Sequence, residues 1–398
     1  MSACYDSGRF VFFRAFMRTF SDVRSSSGYQ SFKRLWRRVR QYRKEAQLAL
    51  ARVLFDHRPS ALPYEPSEAK HIAVFRWDDK LGDSIMATLF VDAINRERPD
   101  IEITYITGKQ GLSLLGGWPA INNLIICGRR GWKTAWSLRK LKGKFDLVLE
   151  LSSGMSAYEL FALRQLRAKH YLGYGKQDYA LFDVNVGDEA IHFATRYLAA
   201  ASIAVGRSVE GHFYLPESND ARRIAQDYVC SKPEQSTKVL INLFSAGKHR
   251  SFADKDAEKF LRWWLEQWPN IEIMLLSVPG RDEQLDRLLT AIGSARISRT
   301  PFPASIELTV ALAKEADLVF SPDTAVVHMV AALGCPMIAV YRLKGPEFDA
   351  WQPSGSKARV LFNRQAVDKY DRVSAADFSW PMLKQEVDRI ISQEDHVI

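Results

Sequence analysis

Three segments of the sequence carry side chains suited to chemistry, and each follows an apolar run of strand length. In the first, RWDDKLGD, Gly82 permits a tight or positive-φ turn, and Asp83 stands at the mouth of the next helix. A carboxylate placed there can remove a proton from an attacking hydroxyl. Asp is also a preferred N-cap, so helix capping is the alternative role. Asp78 and Asp79, earlier in the loop, are further candidate bases.

The second segment, NLFSAGKHRSF, offers a positive charge on a glycine-containing loop. Gly247 permits a close backbone approach, and Lys248 suits a phosphate as a point-charge partner. The alternative is an ordinary surface lysine. No Walker sequence and no G-x-G-x-x-G follows this strand or the first one, which argues against P-loop NTPases and dinucleotide dehydrogenases.

The third segment, SPDTAVVHMVAALG, joins a buried strand directly to a helix. Thr324 and the first free N–H groups of that helix form an anion site, aided by a helix dipole equivalent to about half a charge. His328 lies one turn further on, where a ring nitrogen can reach a phosphate or hydroxyl in the same site. Taken singly, Asp323 also fits an N-cap, and His328 also fits a core or capping histidine.

The elements that must position these residues alternate between strand and helix patterns. Apolar, β-branched runs of strand length begin at His71, and the pattern restarts after a break near residues 212–238. Such alternation predicts an α/β fold with two Rossmann-like halves, and ligands bind beyond the carboxyl ends of such strands. We divide the chain into a basic helical extension with a linker, an N-terminal Rossmann-like domain, a C-terminal Rossmann-like domain, and a last helix able to pack back on the first domain. Their ranges are 1–70, 71–212, 213–374 and 375–398.

The formal net charge of +9 belongs to the N-terminal segment alone. Residues 1–59 hold 13 Lys and Arg against 4 Asp and Glu, which already accounts for +9. Aromatic and basic residues interleave there with the spacing of one or two amphipathic helices. One interpretation is a helical face packed on the body; another is an interfacial helix held on an anionic membrane surface. A nucleic-acid partner is not expected, because no reader motif accompanies the charge.

The remaining composition predicts a cytoplasmic protein. The four cysteines are scattered, which argues against a zinc site and a disulfide framework. No signal peptide is evident, and no uncharged run approaches the roughly 20 residues that span a bilayer. If the basic helix is interfacial, the protein is peripheral on the inner face of the inner membrane.

Taken together, the three segments resemble glycosyltransferase family 9, the ADP-heptose:lipopolysaccharide heptosyltransferases. The likeness runs from about His71 to the C-terminal helix. It is carried by a first strand that ends in Arg76, by Leu81-Gly82-Asp83, by Lys248, and by SPDTAVVH followed by an Ala-rich helix and a G-x-P sequence.

The resemblance implies a GT-B architecture and an inverting transfer of heptose from a nucleotide-sugar donor, ADP-heptose, without metal or other cofactor. The acceptor is then a lipopolysaccharide core or a related surface glycolipid, which the cations between residues 109 and 144 suit. Asp83 matches the family's proposed base and Lys248 its diphosphate-binding lysine. Glu283 matches a glutamate that contacts the donor nucleoside. The donor-binding turn is matched by Asp323, Thr324, Ala325 and His328.

Two departures from the family pattern concern the donor. Ala325 stands where the family usually has glycine, and its Cβ narrows the approach of a diphosphate. Arg250-Ser251 stands where Trp-Pro is frequent. A transferase with a different nucleotide sugar and a nucleotide-sugar epimerase on the same scaffold are therefore the alternatives. A non-catalytic binding protein is a third, against which the joint presence of Asp83, Lys248 and His328 counts.

Overall fold

The computed structural model describes residues 27–60, 62–245, 250–366 and 373–394. Lys248, the predicted phosphate-binding lysine, lies outside these ranges together with Gly247. The described chain forms two six-stranded sheets, and every strand pairing in them is parallel. The prediction of two Rossmann-like α/β halves is therefore confirmed.

The first sheet has the strand order β3-β2-β1-β4-β5-β6, with the first strand in its centre. Its carboxyl edge therefore gathers the loops that follow β1, β2 and β4. The elements of this half, in chain order, are α1 (Ser27–Phe55), β1 (His71–Arg76), α2 (Leu81–Glu97), β2 (Glu102–Thr107), α3 (Lys109–Leu115), β3 (Asn123–Ile126), α4 (Trp132–Ser137), β4 (Leu147–Glu150), α5 (Ala157–Leu166), β5 (His170–Tyr174), β6 (Val184–Val186) and α6 (Phe193–Val205).

The second sheet repeats this plan with the order β12-β11-β10-β7-β8-β9. Here β10 lies between β7 and β11, so the loop that follows it is central at the carboxyl edge. The elements of this half are α7 (Asn219–Cys230), β7 (Thr237–Ile241), α8 (Asp254–Gln267), β8 (Ile271–Leu275), α9 (Asp282–Ile292), β9 (Ile297–Arg299), α10 (Ile306–Lys314), β10 (Leu318–Pro322), α11 (Ala325–Leu333), β11 (Met337–Tyr341), α12 (Pro346–Trp351), β12 (Ala358–Phe362) and α13 (Trp380–Glu394).

Helices cover both faces of each sheet, which is why the strands read as continuous apolar runs. Along β1, Ile72 and Val74 enter one hydrophobic cluster, whereas Ala73 and Phe75 enter another on the opposite face. This alternation follows from the two-residue period of a strand. The strand is thereby fixed in register, and the loop after it is held at the carboxyl edge.

The described part of the N-terminal extension contains one long helix, α1, and among its described side chains those that pack on the body lie near its carboxyl end. Leu48, Ala51 and Phe55 join the core cluster beneath α5, and the Phe55 ring lies 4.9 Å from that of Phe161. The side chains described between Leu35 and Leu50 are almost all exposed. Among the described helices, none combines the length and apolar character needed to cross a bilayer.

The last helix lies on the second sheet. Leu383, Val387 and Ile390 of α13 belong to the hydrophobic cluster of that half. The sequence pattern alone also allows this helix to pack back on the first domain, but the described contacts place it on the second. Its apolar residues recur every three or four positions and form one stripe, and the second core accommodates that stripe.

Candidate active site

The amino-terminal ends of α2 and α11 face each other across the cleft between the two sheets. Gly82, in the first turn of α2, lies against His328 of α11: a Cβ built on Gly82 would be 2.8 Å from His328 Cδ2. Met329 of α11 even joins the hydrophobic cluster of the first half. The two segments singled out as LGD and SPDTAVVH thus meet at one place.

Glycine at position 82 allows α2 to approach the His328 ring closely; it is not required there for an unusual backbone conformation. It lies within α2 and is absent from the described glycines with positive φ. The expectation of a positive-φ turn at Gly82 is therefore wrong. Side chains on the first turn of α2 point toward its amino-terminal end, and a Cβ there would collide with the imidazole.

Asp83 is buried in the first turn of α2, with 8% of its surface exposed. It does not cap the helix, because Lys80 holds the N-cap position and the carboxylate bonds to the Arg76 guanidinium instead. Lys80 Nζ lies 3.8 Å from Asp83 Oδ2. Arg76 also donates to Asp78 at 3.0 Å. The capping alternative for Asp83 is thus excluded by the geometry.

Burial raises the pKa of Asp83 to about 6, and the Arg76 guanidinium opposes this shift by favouring the ionised form. The carboxylate is therefore ionised at neutral pH but more basic than an exposed aspartate. Such a group can accept a proton from a hydroxyl near neutral pH. The other candidate in this loop, Asp79, accepts from the backbone N–H of Gln110 at 2.6 Å and so ties the loop to α3.

The turn after β10 forms an anion site at the start of α11. Thr324 is the N-cap residue, and its hydroxyl accepts from the N–H of Val326 at 3.1 Å. The N–H of Asp323 donates to the carbonyl of Val340 at 2.9 Å, which fixes the turn to β11. Within the described ranges, the N–H groups of Thr324 and Ala325 have no hydrogen-bond partner. Unpaired N–H groups at a helix amino terminus attract anions such as phosphate.

Two residues support this turn in roles that were not predicted from the sequence. Asn242, buried just after β7, donates to Ser321 Oγ at 3.0 Å and to Thr324 Oγ1 at 3.3 Å. A polar side chain directly after an apolar strand was the available signal. Arg250 pairs with Asp323 at 2.7 Å, so the Asp323 carboxylate faces a cation and not the helix amino terminus. Asp323 is therefore not the N-cap.

His328 is a neutral ring in this site. It is 5% exposed, and burial lowers its pKa to about 4. Its Nδ1 is buried without a hydrogen-bond partner. A buried polar atom without a hydrogen-bond partner destabilises the folded protein unless a ligand supplies that partner. At neutral pH His328 thus offers one donor and one acceptor, without a charge.

Residues 192–193 of the first half and 351–352 of the second half join the domains beside His328. The Phe193 ring stacks on Trp351 at 3.7 Å, and the Trp351 ring lies 5.9 Å from His328. His192 Nε2 lies 2.8 Å from the carbonyl oxygen of Gln352. No local sequence pattern predicts this contact, because its members are far apart in the chain.

Glu283 stands apart from the other candidates. It lies in the first turn of α9, its side chain is 95% exposed, and Arg287 Nη1 is 3.8 Å away. No described contact joins it to Thr324 or His328. It follows β8, two strands from β10 at the same edge of the sheet, so only an extended ligand would touch both places. Among the described residues there is also no cluster of three His, Cys, Asp or Glu side chains placed to hold a metal ion.

Two parallel six-stranded sheets with a site between their carboxyl edges define the GT-B architecture of glycosyltransferases. The model of glycosyltransferase family 9 (heptosyltransferase) matches residues 136–377, more than half of the chain, and the chain belongs to this family.

Individual relatives agree with this membership. The chain is 24% identical to the lipopolysaccharide core heptosyltransferase OpsX of Haemophilus influenzae, over 72% of this chain and 82% of that protein. Its fold is similar to that of a family 9 glycosyltransferase of Veillonella parvula, with a TM-score of 0.63, 16% identity, and coverage of 81% of this chain and 97% of the other. The fold is also similar to that of the ADP-heptose LPS heptosyltransferase II of Escherichia coli. The TM-score is 0.57 and the identity 17%, with coverage of 82% of this chain and 99% of the other.

Proposed function

We propose that this glycosyltransferase moves a heptose from ADP-heptose to a lipopolysaccharide core or related surface glycolipid, with inversion and without a metal ion. The main support for the proposal is that two functional groups lie on opposite sides of the Gly82–His328 contact. On one side is a buried carboxylate of raised pKa, and on the other is an anion-binding helix terminus. The names of the OpsX relative and of heptosyltransferase II support the donor and the acceptor.

The donor diphosphate binds at the start of α11. The free N–H groups of Thr324 and Ala325 bond its oxygens, and the helix dipole favours its charge. The orphan Nδ1 of His328 marks the ring as a further partner for a phosphate or sugar hydroxyl. Lys248, whose loop begins after β7 beside β10, brings the compensating positive charge. Positioned donors of this kind each stabilise the departing diphosphate by roughly 3 kcal/mol in a dry site.

Asp83 serves as the general base. It takes the proton of the acceptor hydroxyl while that oxygen attacks the anomeric carbon. The bond from the anomeric carbon to the diphosphate breaks, and its electron pair leaves with the nucleoside diphosphate. Attack from the face opposite the leaving group inverts the anomeric configuration. Arg76 holds the carboxylate in place, and N–H and cationic groups take the role that a divalent ion has in other transferases.

The remaining donor contacts fall on the second domain. Arg250 neutralises Asp323, so that the carboxylate does not repel a diphosphate bound at the next residue. Glu283 is exposed at the same sheet edge, 3.8 Å from Arg287 Nη1, and it bonds a nucleoside that extends from the turn toward β8. Residues 213–374 are thus the donor domain and residues 71–212 the acceptor domain. With a lipid acceptor of this kind, the protein works in the cytoplasm at the inner membrane.

Transfer is tested with purified protein, ADP-heptose and a heptose-free core acceptor. Mass spectrometry should show one heptose added to the acceptor and ADP released in equal amount. Donor incubated without acceptor is the matched control, because an epimerase would convert the donor on its own. Nucleotide sugars carrying other bases or hexoses test the donor assignment. Tighter binding of another nucleotide sugar, or conversion without acceptor, would contradict the proposal.

A further inference from the structure

The helix α1 carries two apolar stripes on opposite sides. At 100° per residue, Leu48, Ala51 and Phe55 share one side, and this stripe is packed on the body. Leu35, Val39, Tyr42, Leu50 and Val53 share the other side, roughly 180° away, and all five are exposed. Exposed apolar residues in a continuous stripe mark a surface that binds something. We name these five residues the outer stripe.

Cations flank the outer stripe. Arg38 lies on one side of it by helical position. On the other side, Arg43 lies between the stripe and the exposed Leu54, and Arg40 and Lys44 follow toward the packed side. Residues 27–55 contain eight Lys and Arg against one Glu. This order, apolar in the centre and basic at both edges, is typical of a helix that lies in a bilayer interface. There the long basic side chains reach out to headgroups while the stripe enters the acyl region.

A second group of exposed aromatic side chains lies on α4, near the packed end of α1. Trp132 and Trp136 of α4 are 49% and 54% exposed. Both rings contact Phe161 of α5, at 5.4 and 6.1 Å, and Phe161 is also the residue on which Phe55 of α1 packs. Half-exposed indoles are favoured at the headgroup level of a membrane. Exposed cations accompany these indoles: Lys133, Arg139, Lys140, Lys142 and Lys144.

We infer that the outer stripe of α1 docks on a bilayer of anionic lipids, and that the two exposed indoles of α4 add to this contact. A nucleic acid fits this surface poorly, because its phosphates would lie over the apolar stripe while the cations sit at the edges. A second copy of the chain fits poorly as well, because it would place one strongly basic helix against another. An anionic bilayer satisfies both the apolar centre and the basic edges.

This surface extends the proposed function, since it supplies the membrane contact that a lipid acceptor requires, but it does not depend on the transfer chemistry. The cleft residues and the outer stripe share no described contact. Vesicle binding can therefore be measured without donor or acceptor.

The test uses full-length protein and flotation with two kinds of vesicle, one of phosphatidylcholine and one of equimolar phosphatidylcholine and phosphatidylglycerol. The protein should float with the anionic vesicles only, and salt should weaken this binding because it screens the charges. Val39→Ser with Val53→Ser should lower binding by about tenfold or more, since two apolar side chains leave the acyl region. Ile224→Ser with Met382→Ser, at exposed apolar positions of the second half, is the matched control.

The basic edges are tested separately. Arg38→Gln with Arg43→Gln should reduce binding by about fivefold per charge, whereas Arg223→Gln with Lys255→Gln should change little. The inference is overturned if the protein fails to bind anionic vesicles, or if the control variants lose as much binding as the test variants. It is also overturned if the protein binds RNA more tightly than vesicles, or if the Val39/Val53 variant loses a dimer that the unmodified protein forms. Transfer to a water-soluble core oligosaccharide, measured on the same variants, should be unchanged. If the unmodified protein does not catalyse this transfer, the proposed function is refuted, but the inference of a membrane-binding surface is unaffected.

Discussion

Gly82 of the first domain lies directly against the imidazole of His328 in the second, with room for a hydrogen but not for a methyl group. Their contact sets the distance between α2 and α11, whose first turns hold Asp83 and the Thr324–Ala325 amides. The distance between Asp83 and the anion site therefore depends on the absence of a Cβ atom at Gly82. Interfaces packed this closely adopt discrete arrangements and do not deform gradually.

Gly82→Ala is expected to lower kcat/KM by about tenfold or more while the fold survives. The new methyl would sit 2.8 Å from His328 Cδ2, and relieving such overpacking typically costs about 1–3 kcal/mol. Steady-state kinetics with a melting curve would measure both effects. Gly131→Ala is the matched control, because nothing lies within 4 Å of its Cβ position. Equal activity of the two variants would show that closure does not require this contact.

Asp83→Asn is expected to abolish transfer and to leave donor affinity nearly intact. The amide keeps the shape of the side chain but cannot accept the acceptor's proton. It also leaves the buried Arg76 guanidinium without an anionic partner at this position, so some loss of melting temperature should accompany the substitution. Calorimetry with ADP separates binding from turnover. Turnover near that of the unmodified enzyme would remove Asp83 from the role of base.

The pH dependence of transfer should show one acidic limb with an apparent pKa near 6. Burial raises the pKa of Asp83 to about 6, and the ionised form is the active base, so kcat/KM rises with pH through this value and then levels. His328 does not titrate in this range, since its pKa is lowered to about 4. His328→Gln should therefore reduce the rate without moving the limb. A limb that disappears in this variant would assign the titration to the histidine.

The parts of the site that the sequence predicted are those encoded by local pattern. The strand into Ser321–Thr324 and the helix after it were predictable, because burial along a strand and capping at a helix start involve neighbouring residues. The Gly82–His328 approach was not, because it depends on the position of one domain relative to the other. The Arg250–Asp323 pair depends likewise on the path of a loop.

Phe193 and Trp351 should act as a coupled pair that supports the closed site. Their rings stack at 3.7 Å across the domains, and Trp351 also contacts His328, so either truncation should free the histidine and loosen closure. Phe193→Ala and Trp351→Ala should each lower kcat/KM, and the double variant should lose much less than the sum in free energy, because the shared contact is lost only once. Phe302→Ala, at an exposed ring of the second domain, is the control. Strictly additive losses would mean that the two rings act on the reaction independently, and the stacking would then have no part in holding His328 against Gly82.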